Sequence, residues 1–426
     1  MIRLVRPGRA RGTARIPGSK SYTHRLLIAA GLSSGPVRLS GALDADDTRA
    51  TVEGLRRLGA SVRTGSRAWT VRPIRPAHRS RPATIDCRES GTTLRLLLPV
   101  AALQDRPFRF VGRGRLPERP IGPLVASLRA LGATIESEHP RRSLPVRVRG
   151  PVRSGDVAVE TGGSSQPASG LALALGSLES RARLTLVGAV VSRPYLEATA
   201  RVLRAFGGSV RMHPHRIDVA GPLRPPAVGV SVPPDASSAA YAWAAAAISG
   251  GSIRVPGFPQ GWPQADLAIL RLVERMGATI ARGAGTIAVR GPLRRGIRAD
   301  LTASPDLYPL AAVLACAVPG ARSRLSGAPH LRHKESDRRA ESLRIARALG
   351  ATARIAAGGT LEIVGPPAIE PFSLPDLFDH RLVMSVAVGA LAARGPCRIG
   401  DAASVAKSFP GFWNAWAEWT GARRPR

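Results

Sequence analysis

Lysine and asparagine are nearly absent from this chain of 426 residues. It contains three lysines, Lys20, Lys334 and Lys407, and one asparagine, Asn414, against 62 basic residues in total. Both residue types have A-rich codons, so their scarcity indicates a GC-rich coding sequence that placed arginine wherever a surface position needed a positive charge. The formal net charge of +33 is therefore weak evidence for nucleic-acid binding. Each remaining lysine is informative, because arginine cannot replace a compact ammonium group at a tight site.

Cysteine is also scarce, and its three positions, Cys87, Cys316 and Cys397, include no CxxC pair. An odd count without that spacing argues against a disulfide framework and a zinc site, and it favours a reducing cytoplasm. The histidines include no HxxxH pair, and His213 and His215 lie in a segment rich in proline and arginine that we interpret as solvated. We therefore expect neither a metal nor a cofactor.

Aromatic residues make up 4% of the chain, and few of them alternate with arginine. A nucleic-acid-binding repeat protein would need stacking aromatics along its basic surface, so this class of protein is disfavoured. The richest apolar stretch, residues 239–248, is shorter than the ~18 residues that a membrane-spanning helix needs. We expect neither nucleic acid nor a membrane as a partner. Because the first chemical motif already begins at Pro17, we also expect no removable leader.

A helix end followed by a strand start recurs along the whole chain. The glycines at these helix ends are Gly59, Gly132, Gly207, Gly277, Gly350 and, more faintly, Gly421, with spacings of 73, 75, 70, 73 and 71 residues. One sixth of the chain is 71 residues, so the pattern predicts six copies of one α/β unit. In each copy we expect a helix closed by a left-handed glycine, followed by a β-branched strand.

Each repeat contains two helices of different character. The helices before the glycines are amphipathic, as in residues 47–58 and 194–206, and should expose one face to solvent. The others are apolar nearly all round, which predicts buried helices, and they begin near Ser19, Ser90, Ser164, Asp235, Ser304 and Asp379. Six units exceed one hydrophobic core, so we expect two domains of three repeats with a boundary at 230–234. The opening strand, residues 2–4, could pair with either half.

Several helices are predicted to begin with cations. The amphipathic ones open with Glu118-Arg119-Pro120, Ser192-Arg193-Pro194, Lys334-Glu335-Ser336-Asp337-Arg338 and Lys407-Ser408-Phe409-Pro410. Serine at such a position can be an ordinary cap, which contributes ~1 kcal/mol. Lysine and arginine oppose the helix dipole and so indicate a bound anion. The cations concerned are Lys20, Arg119, Lys334, Arg338, Arg381 and Lys407, with Arg25 and Arg95 about one turn inside their helices.

Helix starts that converge on one cleft would bind at least two anionic ligands. Two carboxylates, Asp306 and Glu335, occupy similar positions among these cations, and we favour proton transfer as their role. The alternative is that they complement helix dipoles and form ion pairs with Arg332 or Arg338.

Taken in order, the motifs resemble those of the 5-enolpyruvylshikimate-3-phosphate synthase family of enolpyruvate transferases, and the likeness spans nearly the whole chain. The matching motifs are Pro17-Gly18-Ser19-Lys20-Ser21, Ser90-Gly91-Thr92-Thr93-Leu94-Arg95, Glu118-Arg119-Pro120, Ser164-Ser165-Gln166, Ser192-Arg193-Pro194-Tyr195, Lys334-Glu335-Ser336-Asp337-Arg338, Asp379-His380-Arg381 and Lys407-Ser408-Phe409-Pro410. One such motif is weak evidence, whereas eight in register are strong evidence.

The resemblance implies the two-domain enolpyruvyl transferase fold, an α/β fold with three of the six repeats in each domain and helix N-termini facing the interdomain cleft. Residues 19–233 would form the N-terminal lobe, on the shikimate 3-phosphate side. Residues 1–18 and 234–426 would form the C-terminal lobe, with the catalytic carboxylates and part of the phosphoenolpyruvate site. The two chain crossings would lie near Gly18 and Pro234.

The resemblance also implies a role for each matched residue. The residues that would hold shikimate 3-phosphate are Lys20, Ser21, Arg25, Ser164, Ser165, Gln166, Ser192, Tyr195, Asp306 and Lys334. The residues that would hold phosphoenolpyruvate are Lys20, Gly91, Arg119, Gln166, Arg338, His380, Arg381 and Lys407. Asp306 and Glu335 would carry protons, with Lys20 as a third catalytic residue, and we expect Asp306 to act near the 5-hydroxyl and Glu335 near the methylene carbon.

The implied function is transfer of the enolpyruvyl group of phosphoenolpyruvate to the 5-hydroxyl of shikimate 3-phosphate, with release of phosphate, in a cytoplasmic monomer. The chain departs from the family pattern at Arg88-Glu89, where Gly-Asn is usual, and at His330, where asparagine is frequent. The nearest rival is the sister transferase that acts on UDP-N-acetylglucosamine. That enzyme places a reactive cysteine in a loop, and the corresponding residues 111–117 contain none.

Overall fold

The computed structural model describes residues 2–75, 83–283 and 285–422. The chain forms two compact units, an N-terminal unit of Gly18–Pro233 and a C-terminal unit of Met1–Pro17 with Pro234–Arg426. The predicted lobes differ from these units only in the placement of Gly18. No helix within the described residues combines the length and the hydropathy that a bilayer crossing requires.

Helices and strands alternate throughout both units. The helices of the N-terminal unit are α1 (Lys20–Leu32), α2 (Asp46–Leu58), α3 (Gly91–Ala101), α4 (Gly122–Ala130), α5 (Gln166–Leu175) and α6 (Arg193–Ala205). Its strands are β3 (Val37–Ser40), β4 (Ser61–Arg63), β5 (Ala68–Arg72), β6 (Ala83–Asp86), β7 (Phe108–Val111), β8 (Thr134–Ser137), β9 (Val146–Arg149), β10 (Asp156–Glu160), β11 (Ala182–Val187), β12 (Ser209–Met212), β13 (Arg216–Ala220) and β14 (Val230–Ser231).

The helices of the C-terminal unit are α7 (Ala236–Ser249), α8 (Ala268–Arg275), α9 (Tyr308–Cys316), α10 (Arg338–Ala348), α11 (His380–Ala390) and α12 (Phe412–Thr420). Its strands are β1 (Arg3–Val5), β2 (Arg11–Thr13), β15 (Ser252–Pro256), β16 (Thr279–Gly283), β17 (Thr286–Arg290), β18 (Arg298–Asp300), β19 (Arg322–Ser326), β20 (Thr352–Ile355), β21 (Leu361–Val364), β22 (Ser373–Leu374) and β23 (Cys397–Ile399). Short 3₁₀ turns precede several helices, at Leu116–Glu118, Ala265–Leu267, Pro305–Leu307, Pro329–His333 and Ala402–Lys407.

The described strands form six small sheets, one for each predicted repeat. The order β10-β11-β13-β12 represents five of them, with β10 parallel to β11 and the other neighbours antiparallel. Strand β11 shows the alternation expected of a sheet with one buried face, because Ala182, Leu184 and Leu186 are buried and the residues between them are exposed. The sixth sheet has three strands, β1-β23-β22, in agreement with the faint sixth repeat.

Each unit is completed by a strand from a distant part of the chain. Strand β14 at the end of the N-terminal unit lies parallel to β3, with Val230 opposite Leu39. In the C-terminal unit β2 lies parallel to β15, and β1 lies antiparallel to β23 with Leu4 opposite Arg398. The opening strand, which sequence reasoning left open between the two halves, is therefore part of the C-terminal unit.

Helices α1, α3 and α5 are buried and pack against one another in the N-terminal unit. Helices α7, α9 and α11 do the same in the C-terminal unit, where they form the centre of its core. In α7 every residue from Ser238 to Ile248 is buried, as an apolar sequence without an amphipathic stripe requires. The α/β fold with buried and amphipathic helices in each repeat is as predicted.

The glycines at the helix ends adopt the predicted left-handed conformation. Their φ angles are 107° at Gly59, 99° at Gly132, 77° at Gly207, 109° at Gly277, 85° at Gly350 and 69° at Gly421. A side chain is strained at these angles, so glycine is required to turn the chain from the helix into the next strand.

Three predicted helix starts are wrong. Helix α10 begins at Arg338 instead of Lys334, because the Asp337 carboxylate accepts hydrogen bonds from the backbone N–H groups of Arg339 and Ala340, both at 3.2 Å, and so caps the helix there. Helix α4 begins at Gly122 and α12 at Phe412, after the 3₁₀ turns that end at Glu118 and Lys407. The expected starts were Glu118-Arg119-Pro120 and Lys407-Ser408-Phe409-Pro410. These cations therefore lie in turns before the helices, where the helix dipole opposes them less.

Candidate active site

The first turns of α1, α2 and α3 are joined by hydrogen bonds around Lys20. Its Nζ lies 3.0 Å from Oδ2 of Asp47 in α2, and both side chains are largely buried. Thr93 of α3 donates from Oγ1 to the carbonyl oxygen of Asp47 at 3.2 Å, and Ser90 caps α3 by accepting from the Thr93 N–H at 3.1 Å. Lys20 is thus a nearly buried ammonium in a defined position, which agrees with its resistance to replacement by arginine.

Arg25 is buried, and its described hydrogen-bond partners are all uncharged. Nε donates to Thr199 Oγ1 at 2.8 Å, Nη1 to the carbonyl oxygen of Ser21 at 2.9 Å, and Nη2 to Ser169 Oγ and the carbonyl oxygen of Tyr195 at 3.3 and 3.2 Å. Burial lowers the pKa of Arg25 to about 10. A buried cation held by neutral groups can bind a carboxylate strongly, because no carboxylate of the described residues already neutralises it.

Gly91 is the first residue of α3, and two guanidinium groups lie against it. A Cβ atom there would come within 2.6 Å of Arg95 Nη1 and 2.8 Å of Arg119 Cζ. Arg95 also contacts Gln166 Oε1 at 3.4 Å, and Gln166 donates from Nε2 to Thr92 Oγ1 at 3.0 Å, so the first turns of α3 and α5 are joined. Only glycine allows these two arginines to lie over the start of α3.

Five further predicted residues lie at or near the starts of α1, α5 and α6. Ser21 is the second residue of α1, and Ser164 accepts from the N–H of Gln166 at 3.2 Å. Ser165 is the N-cap residue of α5 and is buried, and Tyr195 lies with its ring centroid 5.8 Å from Cζ of Arg25. Ser192 precedes α6 with φ of 55° and makes no capping bond with its side chain. Strain of this kind at a serine is frequent at ligand sites.

In the C-terminal unit one guanidinium holds three carboxylates. Arg338 lies 2.7 Å from Asp306 through Nη1, 2.8 Å from Glu335 through Nη2 and 2.8 Å from Asp379 through Nε. The Arg338 side chain is 2% exposed and that of Asp379 is fully buried. Asp379 also caps α11 and accepts from Ser336 Oγ at 3.1 Å. Asp306 and Glu335 are therefore kept in fixed positions on the same guanidinium.

A second arginine holds the other oxygen of Asp306. Arg381 lies 2.7 Å from Asp306 Oδ2 through Nη2. Burial alone would raise the pKa of Asp306, but Arg381, Arg338 and Lys334 together hold it well below its usual range. Asp306 is consequently ionised at neutral pH. The alternative interpretation of the sequence was ion pairing with Arg332 or Arg338. Asp306 and Glu335 both form ion pairs with Arg338, and these ion pairs are compatible with proton transfer.

Three further predicted residues of this unit, His380, Lys407 and Lys334, lie at the start of α11 and at the ends of two 3₁₀ turns. His380 is the first residue of α11 and is buried, with Nδ1 3.5 Å from Asp379 Oδ1. Lys407 ends the 3₁₀ turn Ala402–Lys407, which packs against α11, and Lys334 follows the turn Pro329–His333 and acts electrostatically on Asp306. In the C-terminal unit ion pairs bring together Asp306, Glu335, Arg338 and Arg381.

The departures from the family pattern lie at a left-handed, an exposed and a buried position. Arg88 has φ of 52°, a left-handed conformation that favours glycine, which is the usual residue there in the resembled family. Glu89 beside it is exposed. His330 is buried, neither of its ring nitrogens has a hydrogen-bond partner among the described residues, and burial lowers its pKa to about 4 with a further contribution from Lys334. His330 is thus a neutral imidazole at neutral pH.

Sequence reasoning missed the carboxylates that organise these cations. Asp379 was recognised only as a helix start, and Asp47 only as the beginning of an amphipathic helix. A signal existed for Asp379, since it directly precedes His380-Arg381 in a matched motif. No local signal marks Asp47 as the partner of Lys20, because the two are 27 positions apart in the chain. Within the described residues no cluster of acidic, histidine or cysteine side chains is suited to a metal ion.

A family model and curated relatives match nearly the whole chain. The family model of EPSP synthase (3-phosphoshikimate 1-carboxyvinyltransferase) matches residues 5–416. The chain is 36% identical over 430 residues to the 3-phosphoshikimate 1-carboxyvinyltransferase of Halobacterium salinarum, covering 98% of both chains. It is 36% identical over 423 residues to the enzyme of the same name from Thiobacillus denitrificans, covering 97% of this chain and 98% of that one.

Two solved structures superpose on nearly the whole chain. The EPSP synthase of Acinetobacter baumannii superposes with a TM-score of 0.80 at 25% identity and with 98% of each chain covered. The enolpyruvyl transferase NikO of Streptomyces tendae superposes with a TM-score of 0.78 at 18% identity, covering 98% of this chain and 97% of that one, and it supports the fold alone.

Replacement of Arg338 by methionine should destabilise the protein strongly, because Asp306, Glu335 and Asp379 lose their shared partner. We expect a loss of about 3–5 kcal/mol at pH 7. The pKa values of Asp306 and Asp379 are lowered in the folded state, so the stability they contribute is present above pH ~4 and is lost as the pH falls further. The difference in melting temperature between wild type and variant should therefore shrink in acid.

Arg344→Met on the same helix is the matched control, since Arg344 and Glu341 form a half-exposed ion pair that contributes ~1 kcal/mol or less. Thermal melts followed by circular dichroism between pH 7 and pH 3 measure both variants. Equal losses in the two variants, or a deficit for Arg338→Met that is the same at every pH, would contradict the organising role of Arg338.

Proposed function

The chain belongs to the EPSP synthase (3-phosphoshikimate 1-carboxyvinyltransferase) family, and we propose which of its side chains carry out the reaction of that family. The reaction transfers the enolpyruvyl group of phosphoenolpyruvate to the 5-hydroxyl of shikimate 3-phosphate and releases phosphate, in the shikimate pathway that leads to chorismate and the aromatic amino acids. The chain is thus a transferase for two anionic substrates. The observation that carries our assignment of roles is the pair of carboxylates held on one buried guanidinium among lysines and arginines.

The carboxylate of shikimate 3-phosphate would bind Arg25 and Ser21. Arg25 supports this assignment because its guanidinium is buried among neutral partners and gains an ionic partner when the substrate arrives. Tyr195 lies within cation–π distance of Arg25 and would contact the substrate ring beside it. Lys20, on the same helix as Ser21 and Arg25, would contact both substrates.

The 3-phosphate would bind the hydroxyl groups of Ser164, Ser165 and Ser192, with Lys334 as its cation. The serines lie at the starts of α5 and α6, where backbone N–H groups and the helix dipole favour an anion. The strained φ angle of Ser192 is supporting evidence, since a backbone held in this conformation is usual at ligand sites.

In the N-terminal unit phosphoenolpyruvate would bind Lys20, Gln166, the backbone at Gly91 and the Arg119 guanidinium that lies against it. Its partners from the C-terminal unit would be Arg338, His380, Arg381 and Lys407. Arg338 directs four N–H groups to carboxylates, which leaves one Nη1 N–H for the substrate. Its main contribution is therefore to orient Asp306 and Glu335, and Arg381, Lys407 and Arg119 would supply most of the charge.

Asp306 and Glu335 would carry the protons. Glu335 protonates the methylene carbon of phosphoenolpyruvate, the 5-hydroxyl oxygen attacks the adjacent carbon, and ionised Asp306 accepts the hydroxyl proton. The tetrahedral intermediate then loses phosphate, which takes up the proton held by Asp306, and one methyl proton returns to Glu335 as the double bond re-forms. The cations that hold the pKa of Asp306 well below its usual range keep this carboxylate ionised at the start of each turnover.

We also propose that the enzyme acts as a monomer in the cytoplasm. All residues assigned above come from one chain. The three cysteine thiols are unpaired and buried, and burial raises the pKa of each, so they are suited to a reducing compartment and are poor nucleophiles.

Purified protein incubated with phosphoenolpyruvate and shikimate 3-phosphate should release inorganic phosphate, and neither substrate alone should do so. The same assay with UDP-N-acetylglucosamine as acceptor is the matched comparison. Phosphate release with the nucleotide sugar and none with shikimate 3-phosphate, at high enzyme concentration, would replace our assignment by that of the sister transferase.

Gly91→Ala should weaken phosphoenolpyruvate binding, because the added methyl group displaces the guanidinium groups of Arg95 and Arg119. We expect KM for phosphoenolpyruvate to rise about tenfold, or ~1.4 kcal/mol, with a smaller change for shikimate 3-phosphate. Gly122→Ala is the control, since Gly122 also begins a helix and a Cβ there meets no atom within 4 Å. An unchanged KM in Gly91→Ala would remove Gly91 from the site.

Asp306→Asn should lower kcat by roughly 10² to 10⁴ and change KM little, because the amide keeps the shape of the side chain but cannot accept a proton. Asp300→Asn is the control, as Asp300 is an exposed carboxylate of the same unit whose Oδ1 accepts from the Thr302 N–H at 2.7 Å. Steady-state phosphate release measures both variants. Near-normal kcat in Asp306→Asn would exclude the base role.

A further inference from the structure

One buried carboxyl group near Asp306 has no place in the mechanism above. Asp266 lies in the 3₁₀ turn Ala265–Leu267 and is 1% exposed. Its Oδ2 accepts a short hydrogen bond from Ser237 Oγ, and its Oδ1 is buried without a hydrogen-bond partner among the described residues. An ionised carboxylate oxygen that is buried without a hydrogen bond is costly in free energy. Protonation of the carboxyl group would lower this cost.

The location of Asp266 is well defined. Gln264 lies two residues before Asp266. Its Oε1 accepts from the Ala236 N–H at 2.9 Å, and its Nε2 donates to the carbonyl oxygen of Pro234 at 2.8 Å. Asp266 and Gln264 therefore both bind the first turn of α7. That helix also packs against the turn Pro305–Leu307, which carries Asp306. The turns that carry Asp266 and Asp306 therefore both pack against α7.

The arginines near Asp306 already bind carboxylates. Arg338 binds Asp306, Glu335 and Asp379, and Arg381 binds Asp306. Within the described residues Asp266 has Ser237 as its hydrogen-bond partner and forms no ion pair. An additional negative charge on Asp266 would be desolvated and would lie close to the negative charge of Asp306.

We propose that Asp266 is a positioning residue that holds a proton beside the ionised Asp306 carboxylate and, on releasing it, increases the basicity of Asp306. The inference rests on the base role proposed for Asp306. Two neighbouring carboxyl groups whose environments separate their protonation states are a recurring arrangement in enzymes that move protons.

Electrostatics agree with this geometry. Burial raises the pKa of Asp266 to about 7, and the charge of Asp306 adds to the increase, whereas Arg381 and the Ser237 hydrogen bond oppose it. Asp235, which caps α7, contributes a further small increase. The charged side chains of α8, namely Arg271, Glu274 and Arg275, are exposed.

Asp266→Asn tests the proposal, since asparagine keeps the shape and can still accept from Ser237. In the wild type the pKa of Asp266 is higher in the folded state than in the unfolded chain. Folding of the wild type is therefore progressively disfavoured as the pH rises from about 4 to about 7, and the variant lacks this loss. We expect the melting temperature of the variant to exceed that of the wild type by an amount that grows between pH 5 and pH 7 and is constant above.

Activity supplies the second measurement. Above pH 7 the ionised Asp266 raises the basicity of Asp306, so the ratio of wild-type to Asp266→Asn kcat should increase by roughly fivefold between pH 6 and pH 8. Ser237→Ala removes the hydrogen-bond donor that favours ionised Asp266. The kcat of this variant should therefore rise with pH as in the wild type, but the rise should occur at higher pH. Asp300→Asn should follow the wild-type profile.

The melting curves need no substrate, so they distinguish this inference from the proposed function. If wild type releases no phosphate, the assigned reaction is wrong, yet a melting difference that depends on pH still demonstrates the proton on Asp266. A melting difference that is the same at every pH, or parallel pH profiles of kcat for wild type and Asp266→Asn, would overturn the proposal. If Asp266→Asn does not fold, the proposal is overturned when the kcat of Ser237→Ala rises at the same pH as that of the wild type.

Discussion

The guanidinium group of Arg338 is the interaction on which the C-terminal unit depends. It joins α10, the start of α11 and the turn before α9 by binding Asp379, Asp306 and Glu335 at 2.7–2.8 Å. Three carboxylates this close to one another would repel without a cation between them. Because the planar fork of arginine presents its N–H groups in fixed directions, it also sets the distance between the two carboxylates that we assign to proton transfer.

The cations of the N-terminal unit have partners of two different kinds. Lys20 has a carboxylate partner in Asp47, whereas Arg25 is surrounded by hydroxyl and carbonyl groups. Neutral partners orient a guanidinium without cancelling its charge, so an anionic ligand still gains most of the Coulomb attraction. Glycine at position 91 then lets two more guanidinium groups reach the start of α3. The unit is therefore suited to bind anions, and the carboxylates that we assign to proton transfer lie in the C-terminal unit.

Periodic features were predictable from the chain itself. The glycine spacing predicted six α/β units. All six glycines have left-handed φ angles, as expected for residues that turn the chain from a helix into a strand. Helix boundaries were less predictable, because 3₁₀ turns and the Asp337 cap compete with the proline and serine signals at the same starts. Eight short motifs indicated the candidate residues, Arg338 among them, but only the structure shows that four N–H groups of Arg338 bind carboxylates.

What the sequence by itself determined is therefore the set of local properties: the repeat, the buried and amphipathic helices, the family, and the places of the three lysines in an arginine-rich chain. Only the tertiary structure decided which charges face one another. Lys20 meets Asp47 across 27 residues and Arg381 meets Asp306 across 75. Ion pairs of this kind depend on how separate helices pack, and periodicity along one helix contains no information about the neighbour that its charged side chains will meet.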